Sequence, residues 1–145
     1  MAFAPDTQQG ATIAFTALSI DIAAEQIPET SEKIPTIDVV NLATVTQRPY
    51  IVGDLKDVDE FTVVFQNDGT STKPTLGTTY TTTITAPLMS GDSTAEYWAG
   101  SCIVTGVSSP SFAAGANDLQ RINVTLKPSG IGTGSGTLWA RTAAA

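Results

Sequence analysis

The residues best able to do chemistry in this chain are four crowded carboxylates, Asp54, Asp57, Asp59 and Glu60. Several carboxylate oxygens on one flexible loop are what a hard cation such as Ca²⁺ requires. The spacing departs from the calcium-loop pattern, which alternates acids, turns at a glycine and closes on a distal glutamate. A solvated acidic loop is the reading this spacing favours. Gly130, Gly132, Gly134 and Gly136 alternate along the chain. They follow Pro128 and open no helix, so they do not form a phosphate cradle of the dinucleotide or P-loop kind. Cys102 is the sole cysteine and the chain contains no histidine. A thiol without an imidazole base reads as a small buried hydrophobe. The absence of histidine removes Ser-His-Asp and Cys-His nucleophile pairs and imidazole metal ligands. No pair of carboxylates is spaced for acid–base work. Trp98 and Trp139 read as core or interface anchors, and residues 138–141 could dock onto a surface or be a loose end; Trp98 with Tyr97 and the acidic loop leaves a carbohydrate platform open as a binding chemistry. The expectation is therefore a protein that is not an enzyme and holds no cofactor or metal.

The elements that would carry these residues are short strands. The chain has 145 residues, the size of one domain. Threonine recurs throughout, and its β-branch favours strands over helices. Residues 60–66 alternate cleanly, with Phe61, Val63 and Phe65 set against Glu60, Thr62 and Gln66. Residues 118–127 do the same, Ile122, Val124 and Leu126 facing in and Arg121, Asn123, Thr125 and Lys127 facing out. Along 79–86, Tyr80, Thr82, Ile84 and Ala86 share a face. The opposite face is all threonine: Thr79, Thr81, Thr83 and Thr85. Residues 94–108 predict a long strand or a bent pair. Residues 10–22 predict a first strand with a bend near Thr16 and Ala17, where apolar parity switches, and 34–40 predict a second. Residues 21–33 are polar, acidic and broken by Pro28, so they read as a loop with room for one helical turn. Residues 41–59 read as an unusually long connection, and such loops are usually functional. Surface ion pairs are expected for Asp118 with Arg121 and for Glu60 with Lys127.

The predicted organisation is an N-terminal arm over 1–9, a β-sandwich or small barrel over 10–128, and a glycine-rich C-terminal arm over 129–145. The architecture is all-β with at most one short helix. Fourteen acids against seven bases give a net charge of −7. That balance opposes tight binding of nucleic acid, which needs a basic face. No apolar run is long enough to span a bilayer as a helix, and no secretory leader is visible. The expected location is thus cytoplasmic, or within a particle assembled there, with no membrane partner.

Residues 37–68 (IDVVNLATVTQRPYIVGDLKDVDEFTVVFQND) resemble the tail tube proteins of long-tailed bacteriophages. The matching positions are Asp38, Arg48, Gly53, Asp54, Leu55, Asp59, Glu60, Phe61 and Phe65. Residues 98–105 (WAGSCIVT) resemble that family's Gly-x-Val-Thr strand, and 118–130 (DLQRINVTLKPSG) its closing strand. The resemblance implies a structural virion protein, assembled in the host cytoplasm. Its copies would form hexameric rings that stack into the hollow tube through which DNA passes without tight binding. Further partners would be other tail proteins: terminator, tape measure, and baseplate or tip. It also implies that the long loop bridges to the adjacent ring, with Asn41, Arg48, Tyr50, Gly53, Asp54 and Asp57 as the stacking residues. Phe3, Leu138 and Trp139 would make the terminal-arm contacts. The candidate lumen face is Glu60, Thr62 and Gln66, or Thr79, Thr81, Thr83 and Thr85. Competing expectations are a head-decoration or head–tail connector protein, and a carbohydrate- or receptor-binding β-sandwich.

Overall fold

A computed structural model describes residues 10–15, 24–40, 46–53, 57–67, 72–115, 117–129 and 139–145. Among these residues there is no helix. The strands are β1 (Thr12–Phe15), β2 (Ala24–Gln26), β3 (Glu32–Lys33), β4 (Thr36–Asp38), β5 (Tyr50–Val52), β6 (Asp57–Val58), β7 (Phe61–Gln66), β8 (Thr79–Thr85), β9 (Tyr97–Val107), β10 (Arg121–Pro128) and β11 (Ala140–Thr142). Seven of them form one curled antiparallel sheet in the order β1-β8-β9-β10-β7-β2, with β11 added to β9. The remaining four pair as β3–β6 and β4–β5. The all-β architecture expected from the threonine-rich strands is the one observed.

The core lies on the inner face of the curl. Val63 and Phe65 on β7, Val104 on β9, and Ile122, Val124 and Leu126 on β10 are fully or almost fully buried. They come from alternate positions because successive strand residues point to opposite faces. Register sets the layers: Val124 lies opposite Val63 and Val107, and Leu126 opposite Phe61 and Val104. Phe15 closes one side, its ring 5.9 Å from Tyr80 and 6.4 Å from Phe65.

The long strand expected over 94–108 is a single strand with an irregularity. Thr125 pairs with Gly106 but Leu126 pairs with Val104, so Thr105 is the extra residue of a bulge. A bulge increases local twist and helps a flat sheet curl.

Two expectations are corrected, and one left open is decided. Residues 21–33 are more than a loop: β2 joins the sheet edge against β7, and β3 starts a second ladder. Residues 41–59 are not one open connection either, since β5 and β6 return alongside β4 and β3. The end of the C-terminal segment is docked. Trp139 is buried against Phe61, with ring centroids 5.9 Å apart. Beyond it β11 pairs with β9, and Arg141 is ion-paired with Glu96. The Ala145 carbonyl accepts bonds from the backbone N–H groups of Ser93 at 2.6 Å and Thr94 at 3.0 Å. The bend expected near Thr16 and Ala17 lies outside the described residues.

Candidate assembly site: a hairpin with no core of its own

The described residues within 31–59 pair as one long hairpin in two steps. At its base Glu32 pairs with Val58 and Lys33 with Asp57. Farther out Thr36 pairs with Val52, Ile37 with Ile51 and Asp38 with Tyr50. Backbone bonds extend the ladder: Asp59 N–H to the Ser31 carbonyl at 3.2 Å, Gly53 N–H to Pro35 at 2.6 Å, and Val39 N–H to Pro49 at 3.1 Å. Isoleucine, valine and tyrosine are strong strand formers, so the ladder suits its residues locally. Gly53 is there for space. A Cβ at this position would stand 2.9 Å from both the ring and the carbonyl oxygen of Pro35.

The hairpin base is clamped to the sheet. Val58 is fully buried in the core. The Lys127 ammonium donates to the Asp57 carboxylate at 3.0 Å and to the Val58 carbonyl at 2.7 Å. Lys33 pairs with Asp59 at 2.7 Å. The Lys127 hydrogen bond holds the Asp57 carboxyl below its ordinary range, and the Asp59 hydrogen bond raises Lys33. Lys127 therefore grips Asp57, not the expected Glu60, which accepts a hydrogen bond from the Thr105 hydroxyl at 3.0 Å. Two members of the acidic cluster are thus held by lysines. No group of three or more candidate metal ligands occurs among the described residues.

Past the clamp, every described residue of β4 and β5 is exposed. Ile37, Tyr50, Ile51 and Val52 show 50%, 55%, 51% and 64% of their surface to solvent. Ile34 and Val40 are exposed as well. Scattered exposed apolar side chains are ordinary, but a contiguous set on one projecting element marks an interaction surface. Near the outer end, Arg48 lies 3.5 Å from Asp38, and Asp38 accepts a bond from the Val40 N–H at 3.0 Å. Of the residues expected to stack, Arg48, Tyr50 and Gly53 are on the outer hairpin and Asp57 is in its base clamp. Asn41 and Asp54 lie outside the described residues. Sequence reasoning missed Ile37, Ile51 and Val52; their β-branched character was the signal that could have found them.

The two candidate lumen sets share one face of the sheet without touching. Glu60, Thr62 and Gln66 on and beside β7, and Thr79, Thr81, Thr83 and Thr85 on β8, have the parity opposite to the core residues of their strands. They occupy the outer face of one sheet, separated by β9 and β10. Hydroxyls link across this face, as between Thr62 and Thr125 at 3.1 Å. The expected Asp118–Arg121 pair is formed at 2.7 Å, and Arg121 also holds Glu25 at 2.6 Å. Of the terminal-arm residues, Trp139 belongs to the chain's own core, while Phe3 and Leu138 lie outside the described residues.

Other chemistries find less support. Tyr97 and Trp98 are consecutive on β9, so their side chains point to opposite faces and do not make one sugar platform. Trp98 instead lines a groove between the two edges of the curl, with Ile84, Ile27, Pro28 and Ala11. Burial pushes the Cys102 thiol up to about 11, so it carries little thiolate at neutral pH.

No protein-family model matches the chain, and no curated protein matches it. Among solved structures it is similar to a chain of the cryo-EM structure of an extracellular contractile injection system, the PVC sheath/tube terminator in its extended state. The TM-score is 0.61 and the identity 16%, over 99% of this chain and 100% of that chain. At that identity the likeness is one of fold.

Proposed function

We propose that the protein is a structural subunit of a phage tail or tail-like particle. Its copies would form hexameric rings that stack into a hollow tube. The observation that carries this reading is the hairpin 31–59: a clamped base, an exposed apolar outer half, and no core of its own. Two-stranded hairpins are marginal in water unless something covers them. The fold likeness to a chain of a tube-terminator structure supports the same reading, as does the resemblance of residues 37–68 to tail tube proteins.

Under this reading the outer face bearing Glu60, Thr62, Gln66 and the β8 threonines lines the lumen. This face is mostly hydroxyls, its cations Arg121 and Lys127 are already ion-paired, and the chain carries a net charge of −7, so it offers phosphate few counterion-releasing contacts. DNA would pass without being held. Partners are then other copies and the proteins at the tube's ends and inside it, with the virion tail as the location.

Negative-stain electron microscopy of the purified chain tests the proposal. Tubes or six-fold rings are expected, and a strict monomer at high concentration overturns it. Removing residues 41–52 should leave a folded sheet that no longer assembles. Cryo-EM of the tube tests the lumen assignment, which fails if Thr79, Thr81 and Thr83 point outward. A second reading follows from the terminator structure: a capping ring that ends a tube. Single rings that never stack would favour it.

A further inference from the structure

The register of the outer hairpin gives it two different apolar faces. Thr36 with Val52 and Asp38 with Tyr50 share one side; Ile37 with Ile51 share the other. Parity extends these sets, adding Ile34 and Val40 to the first side and Val39 to the second. Tyr50 and Val52 on one face, and Ile37 and Ile51 on the other, are each half or more exposed. A hairpin lying flat on a partner needs only one apolar face. Its other face would alternate to polar residues, as it does on β7 and β10. Here β4 alternates, with Thr36 and Asp38 on either side of Ile37, but β5 does not, and its Tyr50 and Val52 make the first face apolar while Ile51 joins Ile37 on the second.

Charge identifies the occupant. Residues 34–53 carry one acid and one base, Asp38 and Arg48, and these pair with each other. The outer hairpin is therefore neutral on a chain of net charge −7. Like-charged copies repel, and contact between them costs least through a neutral surface. A nucleic acid or anionic membrane would select a basic hairpin, and this one offers neither excess lysine nor arginine.

We infer that the hairpin is a wedge, inserted between two other copies of this chain and covered on both faces at once. The inference rests on the proposed assembly into rings and adds to it a contact geometry. Each hairpin touches two molecules, so stacking and lateral cohesion depend on the same ribbon.

Two paired variants of the full chain test it. Tyr50→Thr with Val52→Thr strips one face, and Ile37→Thr with Ile51→Thr strips the other. Threonine keeps the strand preference, so the ladder should persist. Each pair is expected to lower the assembled fraction at least tenfold in sedimentation while circular dichroism and thermal midpoint stay near the parent. A photo-crosslinker placed at position 37 or at position 50 should capture two non-overlapping surfaces of neighbouring copies. If one pair assembles like the parent and the other does not, the hairpin lies flat and the wedge is overturned. If both pairs assemble normally, the hairpin is not an interface at all. If the parent itself never assembles, the proposed function falls first and the wedge with it.

Discussion

Val124 and Val52 are the same residue type in the same kind of antiparallel pairing. One is fully buried and the other exposes 64% of its surface. The difference is what stands behind each strand. β10 is central in a seven-stranded curl and is flanked by β7 and β9, whose inner side chains complete its layer. Among the described residues β5 pairs only with β4, and nothing closes over either face. A sheet stores its stability in that enclosed layer, at roughly 25 cal/mol per Å² of apolar surface removed from water. The hairpin leaves its apolar surface in water, and under the proposed assembly another copy covers it. The two regions should therefore respond to mutation in opposite ways: core changes should move stability, and hairpin changes should move assembly.

The largest expected effect is in the core. Phe65→Ala should cost about 3–5 kcal/mol in urea unfolding, since it removes a ring that is 1% exposed and touches Phe15. Assembly should fall only as far as unfolding explains. If Phe65→Ala abolished assembly with stability unchanged, the division between the two regions would be wrong. Trp139→Ala follows, at about 3 kcal/mol, because Trp139 packs on Phe61 within the same core. Trp139→Phe should cost much less, since the buried indole N–H has no hydrogen-bond partner among the described residues. A stability unaffected by Trp139→Ala would return the tail end to the status of a free arm.

What was legible in the sequence follows the same division. The faces of β7 and β10 could be read from Phe61, Val63 and Phe65 and from Ile122, Val124 and Leu126, because one side is enclosed and the other wet. Period-two contrast exists only where the environments differ. The pairing of β4 with β5 was not legible, since Thr36, Ile37 and Asp38 alternate but face Val52, Ile51 and Tyr50, which show no such contrast. β2 was hidden in a polar stretch because an edge strand can be Ala-Glu-Gln and still bond its neighbour. Trp139 could be read as a core or interface anchor, but the glycine-rich run before it looks like a linker, and nothing local names Phe61 as its partner. The residues expected to stack were chosen through a family resemblance, which selected the polar members and passed over the isoleucines and valine beside them.

Gly53→Ala probes the junction between the regions. The added methyl would stand 2.9 Å from the Pro35 carbonyl oxygen, closer than packed atoms tolerate, and the neighbour is backbone. Overpacking of this kind costs about 1–3 kcal/mol, and here the strain falls on the hairpin. Hydrogen exchange should quicken at the Gly53 and Val39 amides, which bond to Pro35 and Pro49, while the amides of β7 and β10 stay protected. Assembly should weaken. Equal loosening of β10 would show that hairpin and sheet unfold together and that the base clamp does not separate them.

The smallest effect is electrostatic, and pH can both sharpen and break the comparison. The Asp57 carboxyl is lowered by the Lys127 hydrogen bond. Its contribution is therefore fully present above the unfolded carboxylate value of about 3.9 and is lost as pH falls through the lower folded value. Lys33 is raised by Asp59. Its contribution is present below the unfolded lysine value of about 10.4 and is lost as pH rises through the higher folded value. Both pairs are exposed to solvent, so their effect on global unfolding should be slight and should shrink with salt. Their effect on the hairpin's orientation should be larger, because Asp57 and Asp59 flank Val58, the one residue of β6 buried in the core. Between about pH 5 and pH 9 the assembled fraction should be flat. Below pH 4 it should drop before the far-ultraviolet spectrum of the sheet changes, and Lys127→Met should reproduce that drop at pH 7. If assembly and sheet signal instead fall together, the ion pairs serve the fold as a whole, and the hairpin is no more separable from the sheet than any other edge strand.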